Sequence, residues 1–186
     1  VVSTNLLPGM ITVHMVLAMV IVVVLIYGAF KASEEKIYVS LSPKVGKRLW
    51  NIGTVILVLT VAQLIMGTQV REEIDLIKNV GDGLVSPRST WIDQLGQIFD
   101  IHRTFSWSLV LTGLYLGYLI WSEEVYGLLK KIGALNVFII FAQIFIGIGI
   151  AYLNVPKVLQ VLHLSGVSIM ISTQFFMLLL LKSRKG

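Results

Sequence analysis

The chain has 186 residues, of which 56% are hydrophobic and only 13% charged. So little charge excludes an ordinary water-soluble domain and makes lipid the expected solvent. The net charge of +5 is spread over short segments between apolar stretches, which excludes a nucleic-acid-binding face; the lack of cysteine excludes disulfides, iron–sulfur clusters, thiolate zinc sites and covalent c-type haem within the chain.

The chain opens with Val1-Val2-Ser3-Thr4-Asn5, without an initiator Met, a basic n-region or a small-residue cleavage site. This is not a signal peptide, and the expectation is a fragment of a longer chain. Five apolar stretches follow, at about 8–30, 49–70, 102–121, 132–153 and 158–181, each close to the ~20 residues a helix needs to cross the hydrocarbon core. The predicted fold is therefore all-α, a polytopic membrane helical bundle with five transmembrane helices.

The first stretch carries His14 and ends at Lys31. The second ends in Ala62-Gln63-Leu64-Ile65-Met66-Gly67, and the fourth carries Ala142-Gln143-Ile144-Phe145-Ile146-Gly147 at the same depth. Each is followed, after a loop, by a stretch that opens with histidine, His102 for the third and His163 for the fifth. This predicts an internal repeat of helix pairs, because polar Gln63 and Gln143 recur in register where polar residues are costly. Gly67, Gly147 and Gly149 permit close helix contact.

Between the second and third stretches, Arg71 to Ile101 forms the one long polar segment. Trp91, Ile92, Leu95, Ile98 and Phe99 share one helical face, opposite Asp93, Gln94, Gln97 and Asp100, which predicts a short interfacial helix leading into the third span. Trp50, Trp121 and Tyr152 fall near predicted membrane boundaries, as an aromatic belt requires.

Basic residues set the expected orientation. Lys31, Lys36, Lys44, Lys47, Arg48, Lys130, Lys131, Lys182, Arg184 and Lys185 collect on one side, ten of the fifteen in the chain. That side is expected to be cytoplasmic, with the C-terminus. The other side holds Arg71, Lys78, Arg88, Arg103 and Lys157, diluted by Glu72, Glu73, Asp75, Asp82, Asp93 and Asp100, and is expected to face outward with the N-terminus.

All three histidines then lie near the outer face, on three separate helices. A single intramembrane imidazole is as readily explained by a hydrogen bond across helices as by a site, but three at one depth favour a site. The spans contain no Asp or Glu, which disfavours zinc and di-iron centres. Haem needs only one or two axial imidazoles, an apolar slot and cations near its propionates. His102 and His163 are the expected axial pair, as the repeated residues of the two repeat units. Arg71 and Arg103 stand where propionates would end, although interfacial snorkelling also accounts for them.

Three segments carry a family resemblance: Gly67-Thr68-Gln69-Val70-Arg71, Ile101-His102-Arg103-Thr104-Phe105-Ser106 and Leu159-Gln160-Val161-Leu162-His163. The chain resembles the later five helices of an eight-helix haem A synthase, a family built from two similar four-helix halves that each hold a haem between two histidines. The resemblance implies that residues 49–186 are the C-terminal four-helix haem-binding half, with its outer loop at 71–101. It implies that residues 1–48 are the last helix of the N-terminal half plus a cytoplasmic loop.

By position, the resemblance makes His102 and His163 the iron ligands of a prosthetic haem b, and His14 one of two histidines at the substrate-haem site. The family's Glu-x-x-His-Arg motif lies outside this sequence. Phe99 stands where a glutamate would precede His102, and Asp100 as a surrogate would point from another helical face. No residue of this chain is therefore expected to be catalytic, and the missing cysteines leave no redox disulfide role.

The implied activity is oxidation of the haem O methyl group to the formyl group of haem A. The implied partners are haem O, membrane lipid, the N-terminal half, a quinol or other electron donor, and cytochrome oxidase assembly proteins. A bacterial plasma membrane is the expected location, with an organelle inner membrane the alternative. A bis-histidine cytochrome b subunit of a quinol-linked complex is the competing reading, disfavoured because such proteins usually place haems near both leaflets. A transporter is disfavoured by the lack of broken helices and buried charge.

Overall fold

A computed structural model describes residues 9–33, 39–78 and 87–183. Val1 to Asn5, Lys36, Asp82, Arg184 and Lys185, used above for the N-terminus and the charge balance, lie outside the described residues. Five helices account for the fold, α1 (Met10–Ala32), α2 (Pro43–Lys78), α3 (Gln97–Ser122), α4 (Gly127–Tyr152) and α5 (Lys157–Lys182), and all are long and apolar enough to cross a membrane. No β-strand occurs among the described residues.

Helices α2, α3, α4 and α5 close a ring in which each packs on its two sequence or ring neighbours, so α3 faces α5 and α2 faces α4 across the diagonals. Helix α1 lies outside the ring against α2 and α5. Its contact is narrow: Met15, Ala18, Met19 and Val23 pack on Leu64 and Ile171, and Phe30 meets Phe176 edge-on. A Thr12–Thr68 hydrogen bond of 2.6 Å ties it near the histidine end. Most of the rest of α1 is exposed.

Helix α2 runs two turns past the predicted end at residue 70. At 36 residues it is ~54 Å long, well beyond the ~30 Å hydrocarbon core. Hydropathy marks only the part in lipid, and the rest is held by other means: Ile74 is buried, and Arg71 pairs with Asp75 one turn on.

The predicted interfacial helix before α3 is also corrected. Two short 3-10 turns occupy Arg88–Thr90 and Ile92–Gln94, and α3 already begins at Gln97. Extended Leu95 and Gly96 break the helix, because Gly96 has no side chain to favour helical backbone and its N–H is taken by Glu73. The apolar face is nonetheless used. Trp91 is buried with Ile74 and Val155, flanked by Val70, Ile77, Ile92, Leu95 and Ile150, so this segment straps α2 to the turn between α4 and α5.

In that turn Asn154 and Val155 both adopt positive φ, 58° and 54°. The conformation is costly for a β-branched residue, and it persists because the surroundings over-determine it. Val155 is fully buried, and its carbonyl accepts from both Arg88 (2.8 Å) and Gln160 (2.9 Å). Arg88 also lies over the Trp91 ring, 5.0 Å from its centroid.

The largest apolar cluster lies toward one end of the bundle. Leu49, Ile56, Leu116, Leu119, Ile120, Leu129, Met177 and Leu180 are inaccessible, and all belong to the lysine-rich half. In the histidine half, residues 97–108 of α3, 144–152 of α4 and 157–169 of α5 include no buried residue.

Candidate functional site

The histidine half is built from two copies of one arrangement. In the first, the His102 ring of α3 rests on Gly67 of α2: a β-carbon on Gly67 would stand 3.3 Å from His102 Cε1 and 3.9 Å from Nδ1. In the second, the His163 ring of α5 rests on Gly147 of α4, with the corresponding distance to Cε1 3.7 Å. One turn deeper on each glycine-bearing helix lies a buried glutamine. Gln63 donates from Nε2 to the His102 carbonyl at 3.0 Å. The Gln143 amide fills the space that a β-carbon on Gly166 would need, three residues past His163. The repeat predicted from Gln63, Gly67, Gln143 and Gly147 is thus realised as two imidazole cradles.

Helices α3 and α5 lie across a diagonal of the ring, so His102 and His163 come from opposite helices, each ring seated on a glycine of the helix that precedes its own. The Nδ1 atom of each ring is buried with no hydrogen-bond partner, and so is the Oε1 atom of each glutamine. Orphaned polar atoms in hydrocarbon surroundings are expensive and mark a place where further bonding is available. No three His, Asp or Glu side chains gather as a metal-ion ligand set among the described residues. The chemistry on offer is that of two imidazoles, each with a buried and unpartnered Nδ1.

A family model described as cytochrome oxidase assembly protein, COX15-CtaA, matches residues 1–175. The chain belongs to that family. The search of curated proteins and that of solved structures returned no match. COX15-CtaA is the haem A synthase family, so the resemblance read from the three sequence segments is sound. The family role is in cytochrome oxidase assembly and haem A synthesis.

The remaining predicted site residues are placed apart from the cradles. His14 is exposed on α1, while Met15 and Met19 of that helix meet the ring. Arg71 bonds Asp75 through Nε at 3.1 Å and donates from a terminal nitrogen to Gln160 Oε1 on α5, one turn before His163. Arg103 pairs loosely with Asp100 at 3.4 Å and covers the Phe99 ring, with most of its side chain in the open.

Sequence reasoning missed what Arg71 is part of. The consecutive residues Arg71, Glu72 and Glu73 each hold a different helix. Arg71 takes Gln160 of α5, Glu72 accepts the Gly9 N–H at the start of α1 (3.1 Å), and Glu73 accepts the Gly96 N–H at the start of α3 (3.2 Å). Carboxylates at helix N-termini meet unpaired N–H groups and the positive dipole end. The available signal was the Arg71–Asp75 spacing of four, which marks helix continuing past the membrane boundary.

A cleft of about 670 Å³ lies at the opposite end of the bundle, lined by Val39, Ser42, Ser122, Glu123 and Tyr126 among others. It holds no histidine.

Proposed function

We propose that this chain holds a prosthetic haem b between His102 and His163, as part of a membrane oxidoreductase that converts the haem O methyl group to the formyl group of haem A. The observation that carries the reading is the pair of half-buried imidazoles, each seated on a glycine of the repeat with a buried Nδ1 atom that has no hydrogen-bond partner.

These residues fit a haem. His102 and His163, one from each unit of the repeat, would be the two imidazole ligands of the iron. A haem held by two imidazoles supplies one-electron transfer. The glycines let each ring approach its neighbouring helix, the glutamines fix the depth of α3 and α5 against α2 and α4, and the segment through Trp91 ties α2 to the turn between α4 and α5. Arg71, tied to α5 one turn from His163, and Arg103, exposed beside it in sequence to His102, are the cations for propionates.

His14, on the exposed face of α1, belongs in this reading to a separate substrate site completed by the N-terminal half, where haem O would bind. No residue of this chain is assigned a catalytic role. The histidine end faces outward, the lysine-rich end faces the cytoplasm, and the membrane is a bacterial plasma membrane. Oxidation of the methyl group passes its electrons to an oxidant outside this chain, and a quinol or other electron donor and cytochrome oxidase assembly proteins are the further partners of the reading.

An optical spectrum of purified full-length protein tests the reading. A low-spin bis-imidazole haem signature is expected, lost in His102→Ala and in His163→Ala and kept in His14→Ala. Retention of an unchanged spectrum in the first two variants would sink it. Separate assays of haem O conversion and quinol oxidation distinguish it from an electron-relay cytochrome b, for which only the second activity appears.

A further inference from the structure

Four polar atoms in the histidine half are buried without partners, and they fall into two matched pairs: His102 Nδ1 with Gln63 Oε1, and His163 Nδ1 with Gln143 Oε1. The matching is structural. Gln63 already reaches the His102 residue, donating to its carbonyl, and Gln143 lies against α5 at Gly166, within a turn of His163. Each glutamine precedes by four residues the glycine on which its ring rests, so the same helix face presents both the seat and the amide. An imidazole that gives Nε2 to a metal carries a hydrogen on Nδ1, which then requires an acceptor, and such acceptors orient the ring and raise its basicity. Each amide has its nitrogen engaged or packed and its oxygen spare.

We propose that Gln63 and Gln143 are positioning residues whose side-chain oxygens accept the Nδ1–H bonds of His102 and His163, directly or through one buried water, and thereby set the reduction potential of the bound group. The proposal rests on the haem-holding reading above. An acceptor at Nδ1 makes the imidazole a better electron donor and favours the ferric state. Removing the acceptor must therefore raise the midpoint potential, and a stronger acceptor must lower it.

The test uses spectroelectrochemistry of the purified full chain with its haem, comparing wild type with Gln63→Leu, Gln143→Leu, Gln63→Glu and Gln143→Glu. Leucine variants are expected to keep the low-spin bis-imidazole spectrum and shift the midpoint upward, the double variant further than either single. Glutamate variants are expected to shift it downward. Where a leucine variant fails to take up haem, the sign of the shift in the glutamate variant decides. Midpoints that stay at the wild-type value, or that move the same way for leucine and glutamate, overturn the proposal while leaving the haem reading intact. A wild type without a bis-imidazole haem overturns both.

Discussion

His102 rests on Gly67 more tightly than its counterpart His163 rests on Gly147: the β-carbon of an alanine would stand 3.3 Å from the first ring and 3.7 Å from the second. The second distance is ordinary van der Waals contact, whereas the first obliges the ring to move by a few tenths of an ångström. Gly67→Ala should therefore strain His102 by about 0.5–1.5 kcal/mol, the cost of a side chain pushed off its rotamer. The expected result is a lowered haem-to-protein ratio and lower thermal stability for Gly67→Ala, with Gly147→Ala close to wild type. Equal losses in the two variants would show that the cradles are not as unequal as described.

Gly166 faces the Gln143 amide so closely that a β-carbon there has no room. Overpacking of a well-filled site costs roughly 1–3 kcal/mol. Gly166→Ala should destabilise the protein by that order, and adding Gln143→Ala should recover much of the loss because the obstruction is gone. Thermal unfolding of the two single variants and the double variant in detergent gives the coupling directly.

Glu72 and Glu73 accept from backbone N–H groups at the starts of α1 and α3 respectively. Loss of a capping acceptor costs on the order of 1 kcal/mol. Glu73→Ala is expected to speed amide hydrogen exchange in the first turn of α3, and Glu72→Ala in the first turn of α1. Exchange that rises at both helix starts in either variant would mean the two carboxylates do not act separately.

Thr60 and Gln174 are both fully buried, and Gln174 Nε2 donates to the Thr60 hydroxyl at 3.0 Å across α2 and α5. Thr60→Val strands the amide nitrogen beside an oxygen that already lacks a partner, a loss of about 1–3 kcal/mol. Thr60→Val combined with Gln174→Leu removes the stranded groups and should be more stable than Thr60→Val alone. Denaturation midpoints check the order.

The membrane spans were legible because hydropathy over ~20 residues is a property of composition and needs no tertiary partner. The repeat was legible for a related reason. Gln63 and Gln143 are costly in lipid wherever they lie, so their recurrence in register with Gly67 and Gly147 carried information without coordinates. The extension of α2 past residue 70 was hidden, since polar Arg71 to Lys78 reads as loop to a hydropathy scale and as helix only once Ile74 finds Trp91 and Val155. The segment before α3 misled in the other direction. Its apolar positions fit a helical face, yet Glu73 captures the Gly96 N–H and the chain breaks there.

Sequence alone determined five lipid-crossing helices and the assignment of His102 and His163 to equivalent places in two similar units, because burial cost and periodicity act residue by residue. Which glycine lies under each ring, and that Arg71, Glu72 and Glu73 hold three different helices, were decided only by tertiary structure. Those facts depend on how four helices close into a ring, and helix order around a ring in lipid is set by side-chain packing between segments far apart in the chain, which no local pattern encodes.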